Sequence, residues 1–170
     1  MTTRKGQLMP LTVITIGGSG KFAFSAAHAG LHDGEFEPLH GHSFTVTLRL
    51  HGEQDDAGMV CDFTAAKNAL AAVIAPLRRR TLMPARLAGG RCEQDGGQVV
   101  IEYGAKLYSL PADDVMFLPV TNTTTEQIAG WLLGELVPAL TAPGLRLAEL
   151  VLAEAPDTAA TVTARLGDKP

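Results

Sequence analysis

The segment from His42 to His51 constrains this chain more than any other. Phe44, Val46, Leu48 and Leu50 alternate along it with Thr45, Thr47 and Arg49. Successive Cβ atoms of a strand point to opposite faces, so this period of two predicts a half-buried β-strand. An apolar strand face of this kind has to be covered by a second layer.

The neighbouring segments supply both the sheet and the layer. Leu11 to Ile16 reads as a strand, with a turn or bulge at Gly17, Gly18 and Gly20. Lys21 to His28 continues as a strand with Phe22, Phe24, Ala26 and His28 on one face, and Ala29 to Leu39 is a loop. Asp62 is an N-cap for a helix whose Phe63, Ala66, Leu70, Val73 and Leu77 recur at helical spacing. A polar stretch follows Pro84. Gln98 to Tyr103, Ala105 to Leu110 and Val115 to Val120 then read as short strands of a meander. A second helix starts at Thr123 to Glu126 and carries Ile128, Leu132, Leu136 and Leu140, with Pro138 fraying its end. Leu145 to Glu154 and Thr158 to Leu166 close the chain as strands. This order predicts an α+β architecture, an antiparallel sheet with two helices packed on one face.

Composition excludes several function classes. The 170 residues are 46% hydrophobic and 19% charged, enough for one domain with a sizeable core. A formal net charge of -4 argues against a nucleic-acid-binding surface. No apolar run is long enough to span a bilayer, which excludes a membrane partner of that kind. The N-terminal MTTRKGQLMPLTVITIGG alternates like a strand and lacks a cleavage site, so no signal peptide is expected. Cys61 and Cys92 do not form a disulfide framework, and a cytoplasmic location is the default expectation.

Three histidines carry the chemistry. His40 and His42, at i and i+2 of an extended segment, face the same way, and His28 ends a neighbouring strand. Three imidazoles on one zinc leave a coordination position for water or substrate, the pattern of a catalytic site. Gly41 fits backbone passing close to the metal. An H-x-H pair alone also fits packed or surface histidines, and His32 and His51 are read that way.

Residues 22 to 63 contain an F-x-A-A-H strand, an H-G-H-S-F strand and a G-M-V-x-D-F turn into a helix. NTTTEQIAGWL follows at 122 to 132 and LVLAEAP at 150 to 156. Together these resemble the 6-pyruvoyltetrahydropterin synthase family, which includes 6-carboxytetrahydropterin synthases. The resemblance implies a tunnelling fold, or T-fold, whose sheets join into an oligomeric barrel, usually a homohexamer built as a dimer of trimers. Residues 1–170 would form one such domain, with an inserted strand meander around 85–120. His28, His40 and His42 would be zinc ligands, and Glu154 would grip a pterin ring. One carboxylate can accept both donors on a pterin's edge, an amino group beside a ring N–H. Thr124, Thr125 and Glu126 match positions that line the substrate pocket, and they also suit the start of a helix.

The sequence departs from the family pattern at three positions. The family's cysteine, four residues before H-G-H, is here Phe36, while Glu37 gives E-x-x-H-G-H. This resembles a subgroup, sometimes called type III, in which glutamate replaces the cysteine. That subgroup is associated with cleavage of the dihydroneopterin side chain. A carboxylate there suits proton transfer, with Glu35 a competitor and a plain surface-loop role the alternative. Arg78 and Arg79 stand where the family has an Asp and a His that complete a proton relay, and arginine is no general base. Arg78, Arg79 and Arg80 suit either a substrate phosphate or a solvated turn. The leading expectation is a zinc-dependent lyase acting on the side chain of 7,8-dihydroneopterin or its triphosphate. The alternative is a pterin- or purine-binding homologue without synthase activity.

Overall fold

A computed structural model describes residues 11–167. The expectation about a signal peptide rests chiefly on residues 1–10, outside the described residues. The elements are β1 (Thr12–Gly17), β2 (Ala23–His28), β3 (Leu31–His32), β4 (Glu35–Phe36), β5 (His40–Gly52), α1 (Phe63–Ile74), β6 (Arg80–Pro84), β7 (Arg91–Asp95), β8 (Gln98–Tyr103), β9 (Lys106–Pro111), β10 (Val115–Leu118), α2 (Thr125–Leu136), β11 (Leu145–Ala155) and β12 (Thr158–Arg165).

The strand predicted from the alternating segment becomes β5, the spine of the main sheet. Its first half pairs with β2 and its second half with β1, both antiparallel, so one edge of β5 serves two strands in succession. Its other edge pairs with β11, which in turn pairs with β12. Phe44, Val46, Leu48 and Leu50 are fully buried, and Thr45, Thr47 and Arg49 take the opposite face. There Arg49 forms an ion pair with Glu149, its direct cross-strand partner on β11.

Two helices cover the apolar face, as the sequence predicts. Asp62 caps α1 by accepting from the N–H groups of Thr64 (2.7 Å) and Ala65 (3.3 Å). Ala66, Leu70 and Ile74 are its buried residues, and Leu77 follows in the same core. Phe63, expected on that stripe, is instead half-exposed at the helix start with Lys67 over its ring, and Val73 is only partly buried. Ile128, Leu132 and Leu136 of α2 complete the core with Ala148, Leu150 and Leu152 of β11. Burying one such Leu or Ile contributes about 1.5–3 kcal/mol, so this layer dominates the fold's stability.

The sheet differs from the antiparallel expectation at one edge. There β6 runs parallel to β2 and β10 runs parallel to β6, making the sheet mixed. No strand is expected at Arg80–Pro84 from the sequence, because Arg78, Arg79 and Arg80 resemble a solvated turn. Yet Leu82 and Met83 are fully buried. The passage through α1 returns the chain beside β2 in the same direction, as a crossover connection does. Val115–Leu118, expected in the meander, belongs to this edge instead. The meander itself is a separate antiparallel sheet, β7-β8-β9. Its strand Arg91–Asp95 goes beyond the sequence expectation, because its charged residues mask the one buried side chain, Cys92. Phe36, Met83, Leu87, Val99 and Ile101 form a second small core beneath it.

Candidate metal and pterin site

The antiparallel register of β2 and β5 sets His28 directly opposite His40 and Ala26 opposite His42. The three rings converge, with centroids 4.6 Å apart for His28 and His40, 5.2 Å for His28 and His42, and 4.9 Å for His40 and His42. Each offers a ring nitrogen, and these atoms all lie within 4.8 Å of one another.

The hydrogen bonds around the rings fix which nitrogen is free. Nδ1 of His28 lies 2.8 Å from the carbonyl of Thr123, and Nδ1 of His40 lies 2.9 Å from the carbonyl of Pro38. A carbonyl only accepts, so each Nδ1 carries the proton and each Nε2 keeps its lone pair. Nε2 of His28 is buried without any hydrogen-bond partner. An orphaned buried nitrogen of this kind is costly unless something coordinates it. Burial lowers the pKa of His28 below the ordinary histidine value and, with the nearby His40 and His42, outweighs the Thr123 hydrogen bond that raises it. A neutral imidazole whose other nitrogen is held by a carbonyl is the form that binds zinc. The donor set therefore fits a zinc ion with an open position.

Gly41 is also confined by the neighbouring strand. It lies between the two histidines on β5, so it faces the other side of the sheet. A Cβ there would approach the carbonyl oxygen of Ala26 to 3.2 Å. That carbonyl belongs to the adjacent strand β2.

Beside the histidines lies a cleft of about 250 Å³ lined by His28, Gly30, Leu31, His32, Glu37, His40, Thr123, Thr124, Thr125, Glu126 and Glu154. Glu37, Thr124, Thr125, Glu126 and Glu154 all border this space. Glu154, near the end of β11, accepts a hydrogen bond from the Thr125 hydroxyl in the first turn of α2. Thr124 is the N-cap of α2 and accepts from the Gln127 N–H at 3.4 Å. Glu126 is exposed at the rim.

Glu37 is half-buried. Its Oε2 accepts from the Gly30 N–H at 3.1 Å, and its own N–H donates to the Gly30 carbonyl at 2.9 Å. A Cβ at residue 30 would come within 3.0 Å of that Oε2, so glycine leaves room for the carboxylate. Glu35 is exposed on β4 and does not border the cleft. His32 does border it, but is mostly exposed and paired with Asp33 at 3.3 Å.

The arginines separate. Arg78 donates to the carbonyls of Ala23 (2.7 Å) and Lys21, tying the end of α1 to the start of β2. Arg79 has a positive φ of 58° and donates its N–H to the Ser25 carbonyl. Arg79 and Arg80 border a second cleft of about 550 Å³, with Ser25, His42, Ser43, Thr81 and Asp114. Cys61 and Cys92 are free thiols away from the histidines, and burial raises both, Cys92 to about 11.

Several residues that hold the site were not singled out from the sequence. Asn122 accepts from the Leu31 N–H at 2.9 Å and donates to the Leu31 carbonyl at 2.8 Å. Thr123 donates its hydroxyl to the Ala29 carbonyl at 3.0 Å. Gln127 accepts from the N–H groups of Thr121 (3.0 Å) and Asn122 (3.2 Å). These groups act on backbone atoms, which leave no side-chain spacing to read.

Comparison with known proteins agrees with this fold. The family model for 6-pyruvoyl tetrahydropterin synthase matches residues 18–165. A curated relative from Methanocaldococcus jannaschii, a putative 6-carboxy-5,6,7,8-tetrahydropterin synthase, is 30% identical over 69% of this chain and 72% of its own length. One of the same description from Pyrococcus horikoshii is 26% identical over 78% of each chain. Among solved structures, the 6-pyruvoyltetrahydropterin synthase of Plasmodium vivax superposes with a TM-score of 0.86 at 26% identity, covering 92% of this chain and 99% of that one. A variant of that enzyme with its catalytic glutamate replaced by alanine gives the same TM-score at 25% identity and the same coverage. The fold is thus the T-fold of these synthases. Among the described residues, no helix is long and apolar enough to cross a membrane.

Proposed function

The chain belongs to the 6-pyruvoyl tetrahydropterin synthase family, and on that premise we propose that it is a zinc-dependent lyase acting on the side chain of 7,8-dihydroneopterin or its triphosphate. The observation that carries this reading is the buried, unpartnered Nε2 of His28 beside His40 and His42, at the wall of the cleft that also holds Glu37 and Glu154.

His28, His40 and His42 would hold the zinc ion. When bound, zinc supplies Lewis acidity towards hydroxyl groups of the substrate side chain. Glu154 accepts the paired donors of the pterin edge, and the Thr125 hydroxyl orients it for that task. Thr125 therefore acts through Glu154, while Thr124 keeps the start of α2 in place and Glu126 borders the mouth of the cleft. Glu37 takes and returns the proton at the reacting side-chain carbons. That the catalytic residue replaced in the Plasmodium vivax enzyme is also a glutamate supports this assignment. It supports equally the view that glutamate here stands in for the cysteine of other members.

We further propose a homohexamer built as a dimer of trimers, in the cytoplasm. The helix-free face of the main sheet carries small and polar residues such as Ser25, Ser43, Thr45 and Thr47, suited to the lining of a barrel. We also propose that residues 85–120 are an insertion beyond the minimal fold, with β7-β8-β9 forming a separate sheet and β10 joining the main one.

Arg78 and Arg79 motivate a second reading, a pterin- or purine-binding homologue without synthase activity. Arg78 spends its guanidinium on two backbone carbonyls and supplies no proton relay. The deciding experiment incubates zinc-loaded protein with 7,8-dihydroneopterin and, separately, its triphosphate, and identifies the products. Turnover of either supports the lyase. Tight binding with both recovered unchanged overturns it in favour of the binding protein.

A further inference from the structure

We propose that the β7-β8-β9 sheet is the positioning device of Glu37, acting through Tyr103, Lys106 and Tyr108. The inference rests on the reading of Glu37 as the proton carrier.

Glu37 follows a two-strand hairpin, β3 and β4, that turns through Asp33 (φ 50°) and Gly34 (φ 82°). A hairpin this short has little stability of its own in water. Three side chains of the neighbouring sheet hold its backbone on either side of Glu37. The Tyr103 hydroxyl donates to the carbonyl of Gly34 at 2.9 Å. The Lys106 ammonium donates to the carbonyl of Phe36, the peptide group that leads into Glu37. The Tyr108 hydroxyl accepts from the N–H of Leu39 at 3.4 Å, just before His40. The Phe36 side chain is 2% exposed and stacks on Tyr103 with centroids 5.5 Å apart.

None of the three reaches the cleft, and each acts on backbone. Their joint effect is to fix the peptide groups at 34, 36 and 39, so that the carboxylate between them meets the Gly30 N–H and faces the cleft. A charge-assisted bond such as that from Lys106 is stronger than a neutral one, which makes Lys106 the principal tether. A misplacement of about 1 Å at a reacting group costs up to about 100-fold in rate. Loosening the tethers at Gly34 and Phe36 therefore lowers turnover without touching the metal ligands or the pterin anchor, whereas the Tyr108 bond holds the same peptide group whose Pro38 carbonyl orients His40.

The test compares Lys106→Met combined with Tyr103→Phe, and Lys106→Arg alone, in the full chain loaded with zinc. Two readouts are used: steady-state turnover of 7,8-dihydroneopterin and backbone hydrogen exchange. The expected result is a kcat lower by about 10- to 100-fold in the double variant, with KM and zinc content unchanged. The arginine variant, which keeps the donor, retains most of the rate. Exchange quickens at the Gly30 and Glu37 amides and stays unchanged at His42. The inference is overturned by an unchanged kcat. It is also overturned by a loss of rate that tracks a loss of zinc and of Tm and is no better in the arginine variant. If the parent turns over no pterin, the lyase reading fails by itself, and exchange then decides alone. Faster exchange at Gly30 and Glu37 upholds the tether, and unchanged exchange overturns it.

Discussion

His28 and His40 stand directly opposite each other on adjacent antiparallel strands, with ring centroids 4.6 Å apart and each Nδ1 held by a backbone carbonyl. The pairing leaves the Nε2 atoms of both rings free of those carbonyls, and His42 adds a third imidazole two residues along the same strand, with a ring nitrogen from each of the three within 4.8 Å of the others.

Replacing any of the three by alanine is expected to abolish stoichiometric zinc binding, since two ligands no longer define the site. His32→Ala and His51→Ala should bind zinc like the parent. Metal analysis of protein purified without a histidine tag checks this. Full zinc content in His28→Ala would contradict the assignment.

Proton transfer is expected to rest on Glu37 and on no thiol. Glu37→Gln keeps an oxygen for the Gly30 N–H but loses the base, so kcat should fall by about 10²- to 10⁴-fold with zinc content unchanged. Cys61→Ala and Cys92→Ala should turn over like the parent. Burial pushes Cys92 up to about 11, so at pH 7.5 its thiolate fraction is very small and alkylation is slow. Rapid inactivation by iodoacetamide would count against this account.

Glu154 and Thr125 are expected to act as a pair. Glu154→Gln removes a charged acceptor worth about 1.5–3 kcal/mol, which corresponds to about 10- to 100-fold weaker pterin binding. Thr125→Val, which frees Glu154 to rotate, should weaken binding in the same direction by less. Calorimetric titration of each variant with a pterin measures both, and the double variant should fall short of the sum because the two share one interaction.

Acid is expected to destabilise the metal-free protein through His28. Its pKa is lowered in the fold, first by burial, so as pH falls the unfolded chain takes up the proton first. The contribution to stability is complete above the ordinary value of 6.5 and is lost as pH falls from there through the lowered folded-state value. Thermal melts of the apoprotein between pH 7.5 and 5 should show a decline that is shallower in His28→Asn. Identical slopes in the two proteins would remove His28 as the cause.

Much of this protein is legible in its sequence because its signals are local. Period-two alternation from Phe44 to Leu50 and helical spacing from Ala66 to Leu77 and from Ile128 to Leu136 each encode which face is buried. Asp62 and Thr124 announce the helix starts, and His40-Gly41-His42 puts two imidazoles on one side of a strand. Tertiary structure decided what depends on partners far apart in the chain. Arg80–Pro84 became a parallel strand because α1 returned it beside β2, and Val115–Leu118 followed it to that edge. Glu37 rather than Glu35 borders the cleft because Gly30 closes a hairpin around it, and Thr123 fixes the His28 tautomer with a carbonyl 95 residues away. A strand's pattern states which side is apolar, but its neighbours and the backbone groups that meet its side chains are set only when the chain closes on itself.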